Sequence, residues 1–179
     1  CVHWHWTHIG GGELLSKLKR QAEDLNLASR ISWKGALSQT DVIEHYRASD
    51  VFVLPCRIAP NGDRDGLPNV LMEAQSQALT CLSTPVSGVP ELVVDGETGV
   101  LVPPDKPQEL ALALESLCKD PGLREKLGKA AENRVRREFS YEGGIKALLK
   151  LFADKPPTAG GSPSETPGQT HPEPLRGAA

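Results

Sequence analysis

The chain has 179 residues, about one domain's worth. With 39% hydrophobic residues, a net charge of -3 and a pI near 6.0, it lacks the strongly basic surface of a nucleic-acid binder, so no nucleic-acid partner is expected. No stretch approaches the roughly 18 apolar residues of a membrane span, and no basic-then-apolar leader opens the chain.

Residues 2–9 read as a strand, followed by Gly10-Gly11-Gly12. Residues 13–27 read as a helix, with Leu14, Leu15, Leu18, Ala22 and Leu25 recurring on one face. A short strand is expected at 30–34 and a helix at 41–48, with Thr40 as its candidate cap. Residues 51–54 are a continuous β-branched and aromatic run of the kind found in buried parallel strands. A helix at 69–78 and a strand at 80–83 follow. Gly88-Val-Pro-Glu91 is a turn into a short helix. Asp95-Gly96 is a turn signal before a strand at 99–102. Residues 107–117, 122–138 and 141–152 carry helical periodicity. This alternation predicts an α/β fold, a Rossmann-like parallel sheet with helices on both faces, over residues 1–154.

Residues 155–179 differ. Six of the 15 prolines fall there, and Leu175 is its one large apolar residue. Such a segment buries too little to offset its ordering entropy, so a disordered Pro/Gly-rich tail is expected. Cys1, Cys56, Cys81 and Cys118 are widely spaced with no CxxC pair, which suits reduced thiols and a cytoplasmic location.

In open parallel sheets, ligands sit beyond the carboxyl ends of the strands. The longest such loop runs from Pro55 to Pro68 and leads into a helix. Pro68 suits the first helical position. The N–H groups of Asn69, Val70 and their neighbours would then be free donors, and with the helix dipole they form an anion site suited to phosphate. Gly66 lets a ligand approach the backbone. Asp65 and Glu73 frame the turn. Asn69, Glu73 and Gln77 form a polar stripe on the helix, and Val70, Ala74 and Ala78 an apolar one. A glutamate here would accept hydrogen bonds from vicinal hydroxyls such as those of a ribose. Asp65 could hold the far end of the same ligand. The plainer alternative is also open: acids near a helix start suit the dipole and water.

Asp65-Gly-Leu-Pro-Asn-Val-Leu-Met-Glu73-Ala, Ser83-Thr-Pro-Val-Ser-Gly-Val-Pro-Glu91-Leu and Asp95-Gly-Glu-Thr-Gly-Val-Leu-Val-Pro-Pro104 resemble the C-terminal, donor-binding domain of family 4 retaining glycosyltransferases of the GT-B fold. Gly10-Gly-Gly-Glu13, Ala48-Ser-Asp-Val-Phe-Val-Leu-Pro55 and Leu123-Arg-Glu-Lys-Leu-Gly128 fit the same pattern. The resemblance implies sugar transfer, with retention, from a UDP-, GDP- or ADP-sugar to a sugar or lipid-linked hydroxyl acceptor, in polysaccharide or glycolipid biosynthesis. It implies that Glu73 binds the donor ribose and that Asp65 sits near the transferred sugar, where the family carries a glutamate. It implies that Gly66, Leu67, Pro68 and Asn69 line the sugar and diphosphate, with Gly11 and Gly12 in a nearby turn. No cofactor and no metal are implied. The family's diphosphate-neutralising Arg and Lys and its N-terminal acceptor domain match nothing here, so an N-terminally truncated fragment, inactive alone, is expected. A sugar-nucleotide-binding module, a hydrolase using Asp65 and Glu73, and an inactive fragment remain alternatives. Arg57 and Arg64 are the loop cations, and solvated surface suits both.

Three other patterns lead elsewhere. The G-x-G-x-x-G dinucleotide motif fails, because its third glycine falls on Leu15. Cys1, His3, His5 and His8 offer no second ligand pair for zinc. The Lys/Arg-rich stretch 124–137 suits a solvated helix face with i, i+4 pairs. Its sharper reading is peripheral contact with anionic lipid at the inner face of a membrane. Finally, Ala78 stands where a turn requires positive φ if the family pattern holds, which would strain it.

Overall fold

The computed structural model describes residues 3–153. The expected tail at 155–179 lies outside them. By internal contacts the chain divides into two compact units, Cys1–Gly144 and Ile145–Ala179.

In the first unit, strand β1 (Trp6–Ile9) leads through helix α1 (Leu15–Asp24) and a 3-10 turn (Ala28–Arg30) to β2 (Ile31–Gly35). Helix α2 (Gln39–Arg47), β3 (Val51–Leu54), α3 (Asn69–Ser76), β4 (Thr80–Ser83), α4 (Val89–Leu92) and β5 (Val100–Leu101) follow. Then come α5 (Pro107–Lys119) and α6 (Pro121–Glu138), and α7 (Tyr141–Ala153) runs into the second unit. All strand pairs are parallel, as the alternation of strands and helices predicts. They form two hydrogen-bonded sheets, β1–β2 and β3–β4–β5.

β4 is the centre of the larger sheet and is buried along its whole length. Alternate side chains leave a strand on opposite faces. Cys81 joins Leu71, Ala74, Val89, Leu92 and Val93 in one core cluster. Leu82 joins Val102, Leu117 and Leu127 in the other. Helices therefore cover both faces, as a buried parallel sheet needs.

Several local expectations change. The stripe on α1 is not buried: Leu14, Leu18 and Leu25 are 63, 41 and 58% exposed, and Ala22 is the helix's one buried residue. A two-stranded sheet gives that helix too narrow a platform. The cap of α2 is Ser38 rather than Thr40. Ser38 is extended (φ -66°, ψ 156°) and its hydroxyl accepts from the Asp41 N–H at 3.2 Å, whereas Thr40 is already helical. Helix α3 begins at Asn69. Pro68 keeps the helical φ but has ψ 120°, so it is the capping residue and not the first helical one. The apolar face of α3 is Leu71 and Ala74, with the amide of Gln75 buried beside them. Val70 is 38% exposed, and Ala78 lies beyond the helix. Ala78 does adopt positive φ, 56°.

Helix α6 packs against this strained turn. A Cβ on Gly128 would stand 1.9 Å from the Ala78 carbonyl oxygen, so only glycine permits the approach. The Thr80 hydroxyl donates to the Arg124 carbonyl at 2.6 Å and holds the same contact.

Candidate functional site

The loop from Pro55 to Pro68 leaves the carboxyl end of β3 and delivers the chain to α3. Its excursion is folded on itself. The Ala59 N–H donates to the Asp63 carbonyl and the Gly62 N–H to the Ala59 carbonyl, both at 2.8 Å, and the Asp63 N–H donates to Asn61 Oδ1 at 3.1 Å. Asp65 and Gly66 are exposed at its end, and Leu67 and Pro68 are half-buried. An added Cβ at Gly66 would meet nothing within 4 Å, so its backbone faces open space.

The Pro68 carbonyl accepts from the Leu71 N–H at 3.1 Å. The N–H groups of Asn69 and Val70 have no acceptor among the described residues. They are the unpaired donors that every helix start presents, at its positive end.

Glu73 lies one helical turn further on and is half-buried. Its carboxylate forms no hydrogen bond or ion pair among the described residues. Its charge is felt by Tyr46 of α2, which is 6% exposed and T-shaped to Phe52, with ring centroids 5.4 Å apart. Burial pushes the Tyr46 phenol up to about 12, and the negative charge of Glu73 adds to the shift. Asp65 acts similarly on Cys56, whose thiol is held above its usual range first by burial and then by that carboxylate. The two framing acids thus sit at the two ends of one turn, each beside a half-buried or buried polar group.

The turn after β4 lies against this loop. Thr84 Oγ1 donates a short hydrogen bond to the Cys56 carbonyl, and the Gly88 N–H donates to the Gly66 carbonyl at 2.9 Å. A cavity of about 260 Å³ opens beside it at the carboxyl ends of β3, β4 and β5, lined by Pro55, Arg57, Thr84, Val102 and Lys106. Arg57 and Arg64 are exposed and unpaired among the described residues.

Gly11 and Gly12 are exposed at the carboxyl end of β1, in the other sheet. Their turn is fixed by the Gly10 N–H donating to the Gly35 carbonyl at 2.7 Å, with φ of 116° at Gly10 and 145° at Gly12. No hydrogen bond joins this turn to residues 65–73 among the described residues. The structure therefore brings together Asp65, Gly66, Leu67, Pro68, Asn69 and Glu73, with Gly11 and Gly12 on a separate strand end.

Tyr46, Gln75, Thr84 and Gly88 are the site's supports that residue patterns did not single out for that role. Gln75 is fully buried and its amide donates to the Thr98 carbonyl at 2.9 Å, tying α3 to the turn before β5. Only the Gly88-Val-Pro-Glu91 motif carried a hint, as a turn on the same edge of the sheet. The basic stretch of α6 is largely paired: Lys129 with Glu125, Arg136 with Glu132, Arg134 and Arg137 with Glu138, and Arg124 with Asp50. Among the described residues no three His, Cys, Asp or Glu side chains gather as a metal cage, and no helix is long and apolar enough to cross a membrane.

A parallel sheet with helices on both faces is the Rossmann-like α/β architecture of GT-B glycosyltransferases. The solved structures agree. Sucrose-phosphate synthase from Thermosynechococcus elongatus superposes with a TM-score of 0.71 at 25% identity, over 83% of this chain and 39% of that one. Anabaena HepE, solved in complex with UDP, gives 0.75 at 19% identity over 84 and 41%, a likeness of fold. The profile of the family "Glycosyl transferases group 1" matches residues 4–134, and the chain belongs to that family. Among curated relatives, the amylovoran biosynthesis glycosyltransferase AmsK of Erwinia amylovora is 30% identical over 83% of this chain. The GDP-mannose-dependent alpha-(1-6)-phosphatidylinositol monomannoside mannosyltransferase of Mycolicibacterium smegmatis is 31% identical over 82%. The chain spans 37 and 39% of the length of these two relatives.

Proposed function

We propose that this chain is the donor-binding part of a family 4 retaining hexosyltransferase and binds a UDP-, GDP- or ADP-sugar across the β3–α3 turn. The observation that carries the reading is the half-buried, unpartnered Glu73 carboxylate one turn above the free Asn69 and Val70 N–H groups. Four residues of helix separate them by about 6 Å along the axis. That is the right scale for a ligand with a phosphate at one end and vicinal hydroxyls at the other.

In this reading the N–H groups of Asn69 and Val70 hold a diphosphate oxygen, and Glu73 accepts from the ribose hydroxyls. Gly66 and Leu67 line the transferred sugar beside Asp65. Gly11 and Gly12 border the donor from the neighbouring strand end. The leaving diphosphate gains charge as its bond to the sugar breaks. The helix start is already oriented toward that charge, which lowers the barrier without reorganisation. Neutralisation by N–H groups requires no metal or other cofactor. The acceptor is a hydroxyl on a sugar or lipid-linked sugar, presented by a separate N-terminal domain. The relatives named for amylovoran biosynthesis and for phosphatidylinositol monomannoside mannosylation support a product in polysaccharide or glycolipid assembly.

The test is ligand-observed NMR of the chain with UDP, GDP and ADP, repeated on Glu73→Ala. Selective binding of one nucleotide is expected, with affinity reduced about tenfold or more in the variant, as for loss of a charge-assisted hydrogen bond. Binding that survives Glu73→Ala undiminished overturns the assignment of the ribose. Absence of binding to all three by the folded chain overturns the donor-site reading.

A further inference from the structure

The β3–α3 loop has two feet, and the turn after β4 holds both. At the first foot Thr84, 2% exposed, donates from Oγ1 to the Cys56 carbonyl. At the second, the Gly88 N–H donates to the Gly66 carbonyl at 2.9 Å. Between the feet, residues 57–65 make hydrogen bonds only among themselves within the described residues. Among the described residues, no other hydrogen bond fixes where Asp65 and Gly66 stand.

Gly88 itself has φ -78°, a conformation any residue adopts. Its own backbone does not call for glycine. The approach does: a Cβ there would lie 3.1 Å from the Gly66 carbonyl oxygen and 3.2 Å from Leu67 Cβ. These separations are tighter than ordinary carbon contacts, so one side must yield by a few tenths of an ångström. The α4 side is anchored. Val89 and Leu92 are 1 and 0% exposed, and Arg134 Nη2 donates to the Glu91 carbonyl at 3.1 Å while pairing with Glu138 at 3.0 Å. Gly66, by contrast, is exposed. The loop is the side that yields.

We propose that Gly88 and Thr84 are positioning residues for the donor site. They set the height of the Gly66–Leu67 backbone over the start of α3, and through it the affinity for the nucleotide sugar. This rests on the nucleotide-sugar reading above. Neither residue touches the ligand. Both act through the carbonyls they hold.

The test is a titration of the whole chain with UDP-glucose, GDP-mannose and ADP-glucose, followed by amide NMR, on Gly88→Ala, Thr84→Val and Thr84→Ser. Displacements of a few tenths of an ångström in a preorganised site weaken binding by about tenfold. That loss is expected for Gly88→Ala and Thr84→Val with the nucleotide sugar the unsubstituted chain prefers. Thr84→Ser keeps the hydroxyl and is expected to keep the affinity. The amide signals of Gly66 and Leu67 shift in the two weakened variants, and those of Leu82 and Leu127 in the core do not. Unchanged affinity in folded Gly88→Ala and Thr84→Val overturns the inference, as does a Thr84→Ser that behaves like Thr84→Val. If Gly88→Ala fails to fold, the Thr84 pair decides alone. If the unsubstituted chain binds no nucleotide sugar, the donor reading fails and the inference falls with it. Native affinity in the variants, by contrast, sinks the inference alone.

Discussion

At the scale of single residues, the influence of the Glu73 charge on Tyr46 makes the candidate site testable without any ligand. The Tyr46 phenol is raised from 10.0 to about 12, first by burial and then by the Glu73 carboxylate. A raised phenol favours its neutral form in the folded chain. Its contribution to stability is therefore complete below pH 10 and is lost as pH rises from about 10 towards 12. Tyr46→Phe should flatten the fall in thermal midpoint across that window. Glu73→Gln should lower the phenol's midpoint in an ultraviolet titration while leaving it above 10, because burial is the larger cause. A midpoint unmoved by Glu73→Gln would mean that the carboxylate does not face α2. The placement of Asp65 and Glu73 about the β3–α3 turn was legible in the sequence, because spacing and turn chemistry are local. Tyr46 and Gln75 were not. Tyr46 joins a core cluster with Leu71 and Ala74 of α3, and Gln75 bonds Thr98 before β5, contacts more than twenty residues away in sequence, and no local pattern marks a tyrosine or glutamine as interior.

At the scale of elements, helix α6 governs the geometry under the site. It packs on the turn that ends α3, where Ala78 stands at φ 56° and the Gly128 backbone touches its carbonyl. A left-handed alanine costs about 1–2 kcal/mol, and glycine there regains most of this while adding freedom to the unfolded chain. Ala78→Gly should stabilise by about 0.5–1 kcal/mol. Gly128→Ala should destabilise by about 3 kcal/mol, since its methyl has no room and must push backbone from backbone. Calorimetry on both variants checks the signs; a neutral Gly128→Ala would show that α6 can slide freely off the turn. The positive φ at Ala78 was foreseeable only as an implication of the family resemblance. The role of Gly128 was not, because a glycine in a helix looks like a weakness until the turn against which it packs is known. The same reasoning applies to α1. Its leucine stripe was read correctly as periodic, but periodicity does not say whether a surface exists to cover it.

At the scale of the whole molecule, burial is lopsided within the unit Cys1–Gly144. Among the described residues, every buried core residue lies from Tyr46 onward except Ala22. β4 has a neighbour on each side and helices on both faces, whereas among the described residues β1 and β2 pair only with each other. The strand–helix alternation was legible in the sequence. The division into two sheets was not, because strand order is settled by which edges meet and not by where strands begin. Local opening tracks buried apolar contact. The amides of Thr7, His8, Ser32 and Trp33 should therefore exchange with deuterium at least about tenfold faster than those of Cys81, Leu82 and Ser83. This matters for the proposed donor site, because Gly11 and Gly12 ride on the weakly held sheet while Gly66, Asn69 and Glu73 ride on the firm one. A ligand spanning both would then protect residues 6–12 far more than residues 80–83, since only the former have protection to gain. Equal protection of β1 and β4 in the free chain would show instead that the two sheets open together. The glycine turn would then be as preorganised for the donor as the helix start it faces in that reading.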